Sequence, residues 1–129
     1  MSDQSYVLDA SAVLAFLYQE LGAERVAAAF PLVLISSVNM SEVVAKLTDD
    51  NVSETEIEAN LADLNLQVVP FDQVIAMRAG LLRPLTRQLG LSLGDRACFA
   101  TAETLGLAVL TADRAWAKLD LGISVELLR

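Results

Sequence analysis

Four short, β-prone runs, Tyr6-Val7-Leu8, Leu32-Val33-Leu34-Ile35, Leu66-Gln67-Val68-Val69 and Ala108-Val109-Leu110, are each followed by a segment with helical periodicity. Leu32 to Ile35 carries no polar alternation, as expected of a strand covered on both faces. Strands joined through helices lie parallel, because each crossover returns the chain to the same end of the sheet. The alternation therefore predicts an α/β fold with a mainly parallel central sheet and helices on both faces, and right-handed crossovers leave few topologies. Helices are expected from Ala12 to Tyr18, Ala23 to Phe30, Asn39 to Leu47, Ser53 to Leu64, and Asp72 to about Leu89, with Pro84 bending or splitting the last of these. A further helix opens at Ser92-Leu93-Gly94-Asp95, a short one carries Trp116, and Ile123-Ser124-Val125 is expected as an edge strand.

A chain of 129 residues suits a single domain spanning 1–129. Its apolar fraction of 54% and mean hydropathy of +0.47 are high for that size. Either helices cover both sheet faces or some apolar surface serves a partner. Met40, Met77 and Leu81 are read as core, with a partner surface as the alternative. No apolar run approaches the roughly 20 residues needed to span a bilayer, and Ser2-Asp3-Gln4-Ser5 lacks a signal-peptide pattern. The expected location is cytoplasmic, with no membrane partner, and the single cysteine, Cys98, is read as a packed structural thiol.

The chain contains no histidine, which removes Ser-His-Asp triads, Cys-His pairs, histidine ribonucleases and HExxH zinc sites in their usual forms. A net charge of −8 disfavours indiscriminate nucleic-acid binding, which draws on a basic surface. It is compatible with Mg²⁺ or Mn²⁺, which seek clustered carboxylates.

Asp9, Glu42, Asp95 and Asp113 are each placed at or just inside a helix start that follows a strand or loop. In a parallel sheet such junctions share the carboxyl edge, where ligands bind. Two carboxylates about 4 Å apart repel by roughly 4 kcal/mol at an effective dielectric near 20, so a cluster calls for protonation or a divalent ion. Capping is the competing explanation: Asn39-x-x-Glu42 and Ser92-x-x-Asp95 resemble capping boxes and Asp113 suits an N-cap. Capping is not expected to explain Asp9, nor the hydroxyls of Ser11 and Thr111, two residues from Asp9 and Asp113 respectively. Such hydroxyls suit supporting hydrogen bonds to carboxylates.

The segments Val7-Leu8-Asp9-Ala10-Ser11-Ala12, Ser41-Glu42-Val43, Leu93-Gly94-Asp95-Arg96-Ala97-Cys98-Phe99-Ala100-Thr101-Ala102 and Leu110-Thr111-Ala112-Asp113 resemble, in order, the signature blocks of the PIN-domain family, and most closely those of VapC toxins. The resemblance implies a three-layer α/β/α sandwich and a metal-dependent endoribonuclease, the toxin component of a type II toxin-antitoxin pair. It further implies homodimers, RNA as substrate, a cognate antitoxin as partner, and Mg²⁺ or Mn²⁺ as cofactor. Carried over by position, Asp9 and Asp95 become the main metal ligands, Glu42 and Asp113 complete the acidic catalytic pocket, and Ser11 and Thr111 support them. The implied chemistry is attack of metal-activated water on an RNA phosphodiester, in line with the departing 3′ oxygen.

Arg96 and Arg114, each next to a site acid, are the first candidates for RNA phosphate contacts, with ordinary solvated arginines as the alternative. A haloacid-dehalogenase-type phosphotransferase needs an aspartate where Ser11 stands, and a receiver domain needs a late lysine where only Lys46 and Lys118 exist. The stronger rival is a PIN-like interaction module with little or no turnover.

Overall fold

The computed structural model describes residues 4–129, so the polar opening at Ser2 and Asp3 lies outside the described residues. Strands β1 (Tyr6–Leu8), β2 (Val33–Ser36), β3 (Gln67–Val69), β4 (Ala108–Thr111) and β5 (Val125–Leu127) form one sheet in the order β3-β2-β1-β4-β5. Every pairing is parallel. The helices are α1 (Ala10–Leu17), α2 (Ala23–Ala29), α3 (Ser37–Asp49), α4 (Glu54–Leu64), α5 (Gln73–Leu81), α6 (Arg83–Thr86) and α7 (Leu93–Leu105). Short 3-10 turns cover Arg87–Leu89 and Arg114–Lys118.

The two-residue period of a strand divides the core. Tyr6 and Leu8 of β1 pack with Val33, Ile35 and Leu110 beneath α1 to α4. Val7 and Val109 face the opposite way and meet Ile75, Ala79, Cys98, Phe99 and Trp116 beneath α5 and α7. The fold is thus a three-layer α/β/α sandwich whose central strands are apolar on both faces, which accounts for the high mean hydropathy. Cys98 is fully buried in the second layer. Among the described residues no helix is long and apolar enough to cross a membrane.

Register brings the site together. Leu8 pairs with Ile35 on one side and Leu110 on the other, so Asp9, Ser36 and Thr111 arrive level at the carboxyl edge. The chain runs outward in one direction through β2 and β3 and in the other through β4 and β5. The gap between β1 and β4 is therefore the topological switch point, where ligand clefts open in such sheets.

Several element boundaries differ from the sequence expectation. Helix α3 starts at Ser37 rather than Asn39, because the Ser36 hydroxyl accepts from Val38 N at 3.2 Å and strand passes directly into helix. Glu42 therefore lies in the second turn and is not half of a capping box. Pro84 does split the long helix, into α5, α6 and the Arg87–Leu89 turn. Strand β5 lies two residues later than expected, since Glu126 pairs with Arg25 and Leu128 is buried against the first layer. Met77 and Leu81 are 62% and 55% exposed and do not belong to the core, because α5 turns Ile75 and Ala79 inward instead. Met40 packs against the first layer as a partly buried residue.

Candidate active site

Asp9 is the most deeply buried acid among the described residues. It leaves β1 in extended conformation and serves as N-cap of α1, its Oδ1 accepting from Ala12 N at 3.0 Å. The expectation that capping does not explain Asp9 is thus incorrect: no loop separates β1 from α1, so the strand-end acid is also the cap. Capping uses only part of the carboxylate. Ser11 Oγ stands 2.8 Å from Oδ1 and 2.9 Å from Oδ2, and Thr111 Oγ1 donates to Oδ2 at 2.7 Å.

Both hydroxyls are themselves held. Ser11 Oγ accepts from Ala112 N at 3.0 Å, and Thr111 Oγ1 accepts from Asp113 N at 3.0 Å. The end of β4 and the start of α1 are thereby tied both directly, through Ser11, and through the Asp9 carboxylate. Asp9 is 6% exposed. Burial pushes its pKa up to about 6; the bonds from Thr111, Ser11 and Ala12 work against that rise, and the charge of Asp95 adds to it.

Asp95 occupies the third position of α7 and closes a capping box with Ser92, each side chain accepting from the other's backbone N–H, at 3.0 and 3.2 Å. Asp113 caps the Arg114–Lys118 turn through Ala115 N at 3.0 Å and is exposed. With Asp95, Leu91 and Trp116 it lines a small cavity of about 130 Å³. Glu42 reaches from α3 to α7: Asn39 Nδ2 donates to its Oε1 at 2.8 Å and to Gly94 O at 3.0 Å. The sequence presents Asn39 only as a capping-box partner of Glu42 and Gly94 only as part of a helix start; the Asn39-x-x-Glu42 spacing, which places both side chains on one helix face, is the signal that relates Asn39 to the site.

Electrostatics link three of the acids. The Cys98 thiol is held well above its ordinary pKa by burial first, and then by the charges of Asp9, Asp95 and Glu42. Among the described residues, however, no three acidic or cysteine side chains are gathered tightly enough to hold a metal ion as they stand. The donor set itself suits a hard divalent cation, since every candidate ligand is a carboxylate oxygen. A cation would also favour the charged form of Asp9, which burial and Asp95 both oppose.

Arg96 turns inward, donating from Nη1 to Ala79 O at 3.1 Å with its Nε buried. Arg114 is exposed and donates to Arg129 O at 2.6 Å. A larger cavity of about 790 Å³ lies between α3, α4 and β3, lined by Met40, Val44, Ile57, Leu61 and Val68; none of the four acids lines it.

The family model for the PIN domain matches residues 6–121. The chain belongs to the PIN-domain family. A search of curated proteins found no match. Among solved structures, this PIN fold is similar to a chain of a toxin-antitoxin complex from Klebsiella pneumoniae, with a TM-score of 0.75, 23% identity, and 97% of this chain and 98% of that chain covered. A chain of the DNA-bound VapBC from Salmonella typhimurium gives a TM-score of 0.70 at 22% identity, covering 98% and 99% of the two chains. A chain of VapBC-5 from Mycobacterium tuberculosis gives 0.63 at 28% identity, covering 97% and 98%.

Proposed function

We propose that this PIN-family chain is a VapC-type toxin of a type II toxin-antitoxin pair, a metal-dependent endoribonuclease built as one PIN-like domain over residues 1–129. The observation that carries this reading is the buried Asp9 carboxylate at the switch point, charged at a cost, held from two sides by Ser11 and Thr111, and close enough to Asp95 to feel its charge. The VapBC complexes among its structural neighbours support the choice of toxin over other PIN proteins.

In this account Asp9 and Asp95 are the main ligands for Mg²⁺ or Mn²⁺, and Glu42 and Asp113 complete the acidic pocket. A bound divalent ion supplies Lewis-acid activation of water and neutralises charge on the phosphate undergoing attack. Ser11 and Thr111 fix the orientation of Asp9, so no side-chain entropy is lost at that ligand when an ion arrives. Leu91 and Trp116 of the second layer line the cavity beside Asp95 and Asp113 and give it an apolar wall. Arg114 meets RNA phosphate from the rim, and Arg96, committed to Ala79, contributes mainly by bracing α7 against α5. The partners are RNA, a cognate antitoxin and a second copy of the chain, in the cytoplasm.

The test is RNA cleavage by purified protein in EDTA and in Mn²⁺ or Mg²⁺. Cleavage that requires the ion and falls by about 100-fold or more in Asp95→Asn is the expected result; equal cleavage in EDTA overturns the reading. The dispersed acids favour one second reading, a PIN-like interaction module with little turnover. That reading predicts no effect of divalent ions on the melting temperature.

A further inference from the structure

Glu42 is an exposed residue of a helix, and long exposed side chains ordinarily sample several rotamers. Here its carboxylate has a defined place. Asn39, one turn earlier and 1% exposed, donates from Nδ2 both to Glu42 Oε1 at 2.8 Å and to Gly94 O at 3.0 Å. Both partners are acceptors, which fixes the amide orientation: the NH₂ faces them, and the buried Oδ1 meets no donor among the described residues. A buried amide with an unmatched oxygen costs stability that an apolar residue would not.

Gly94 forms the other half of the arrangement. A Cβ at Gly94 would lie 2.2 Å from Glu42 Oε2 and 2.6 Å from both Cδ and Oε1. Its φ is outside the left-handed region, so the backbone does not require glycine, and glycine is a poorer helix residue than alanine. What glycine provides is room for a carboxylate against the first turn of α7, adjacent in the chain to Asp95.

We infer that Asn39 and Gly94 form a seat for the Glu42 carboxylate, and that Asn39 is a positioning residue of the site, acting through Glu42 and not on the substrate. The inference rests on the proposed function and adds to it the groups that bring the α3 acid to the α7 acid. Gly94→Ala is the informative variant. The three atoms nearest its Cβ all belong to the end of a flexible side chain, so the protein is expected to fold while the carboxylate is displaced.

Titration calorimetry with Mn²⁺ alone, and the Mn²⁺ dependence of RNA cleavage, provide the readouts. Gly94→Ala is expected to melt at or above the wild-type temperature without ion yet bind Mn²⁺ roughly 10-fold more weakly or worse, the usual size of a lost supporting contact. Asn39→Ala is expected to weaken Mn²⁺ similarly, and to add nothing in a Glu42→Gln background. Wild-type Mn²⁺ affinity in Gly94→Ala overturns the seat, as does an Asn39→Ala effect undiminished by Glu42→Gln. Should Asn39→Ala not fold, Gly94→Ala decides alone. Absence of Mn²⁺ binding and cleavage in the wild type overturns the proposed function and this inference with it, whereas an intact wild-type response with unaffected variants overturns this inference only.

Discussion

At the scale of single residues, Asp9 carries opposed demands. As N-cap it stabilises α1, while its burial resists the charge that capping and cation binding both favour. Its pKa in the fold, about 6 against an ordinary 3.8, makes stability depend on pH with a definite sign. An acid with a raised folded pKa stabilises the native state only while protonated; that contribution is complete below its unfolded pKa of 3.8 and is lost as pH rises through about 6. Asp9→Asn does not titrate and keeps an oxygen for Ala12 N. Thermal melts across pH are therefore expected to show Asp9→Asn more stable than wild type at neutral pH by about 1–3 kcal/mol, with the gain shrinking to nothing in acid. A gain that grows toward low pH would contradict the assignment. Asp9 was legible as a strand-end acid because Val7-Leu8 stops at it. Its second role as a cap was not, because the sequence gives no sign that α1 begins without an intervening loop.

At the scale of elements, the legible parts are those set by local chemistry. Ser92-x-x-Asp95 forms the reciprocal box its spacing implies, and Pro84, which has no N–H to offer, interrupts the helix after α5. Ser92→Ala is expected to cost about 1 kcal/mol in denaturant melts through loss of the cap at α7, with Asp95 still in place; no measurable cost would show that α7 is fixed by packing alone. The start of α3 is set by Ser36, which is compatible with both a strand end and an N-cap, so the Asn39-x-x-Glu42 spacing imitates a capping box without forming one. Met77 and Leu81 were misread because the apolar periodicity of α5 fits two stripes, and the composition does not say which one faces α7. The meeting of Glu42 with Gly94 joins positions 52 residues apart through the packing of α3 on α7, which no local pattern encodes.

At the scale of the whole molecule, one decision of topology organises the rest. Parallel strands alternating with helices put every β-to-α junction on one edge, and the order β3-β2-β1-β4-β5 sets the switch point between β1 and β4. The acids near that edge are hard oxygen donors on a chain that has no histidine and a net charge of −8, and among the described residues no three of them stand close enough to hold an ion without rearrangement. The fold was legible because alternation is a global pattern carried by many residues, whereas the spacing of the carboxylates depends on rotamers and helix starts. The most direct test of the account is the rate of RNA cleavage in Mn²⁺ by Asp9→Asn, measured on a sample shown to melt no lower than wild type. The account predicts a folded protein whose rate is down by about 100-fold or more; a rate within a few-fold of wild type would contradict it.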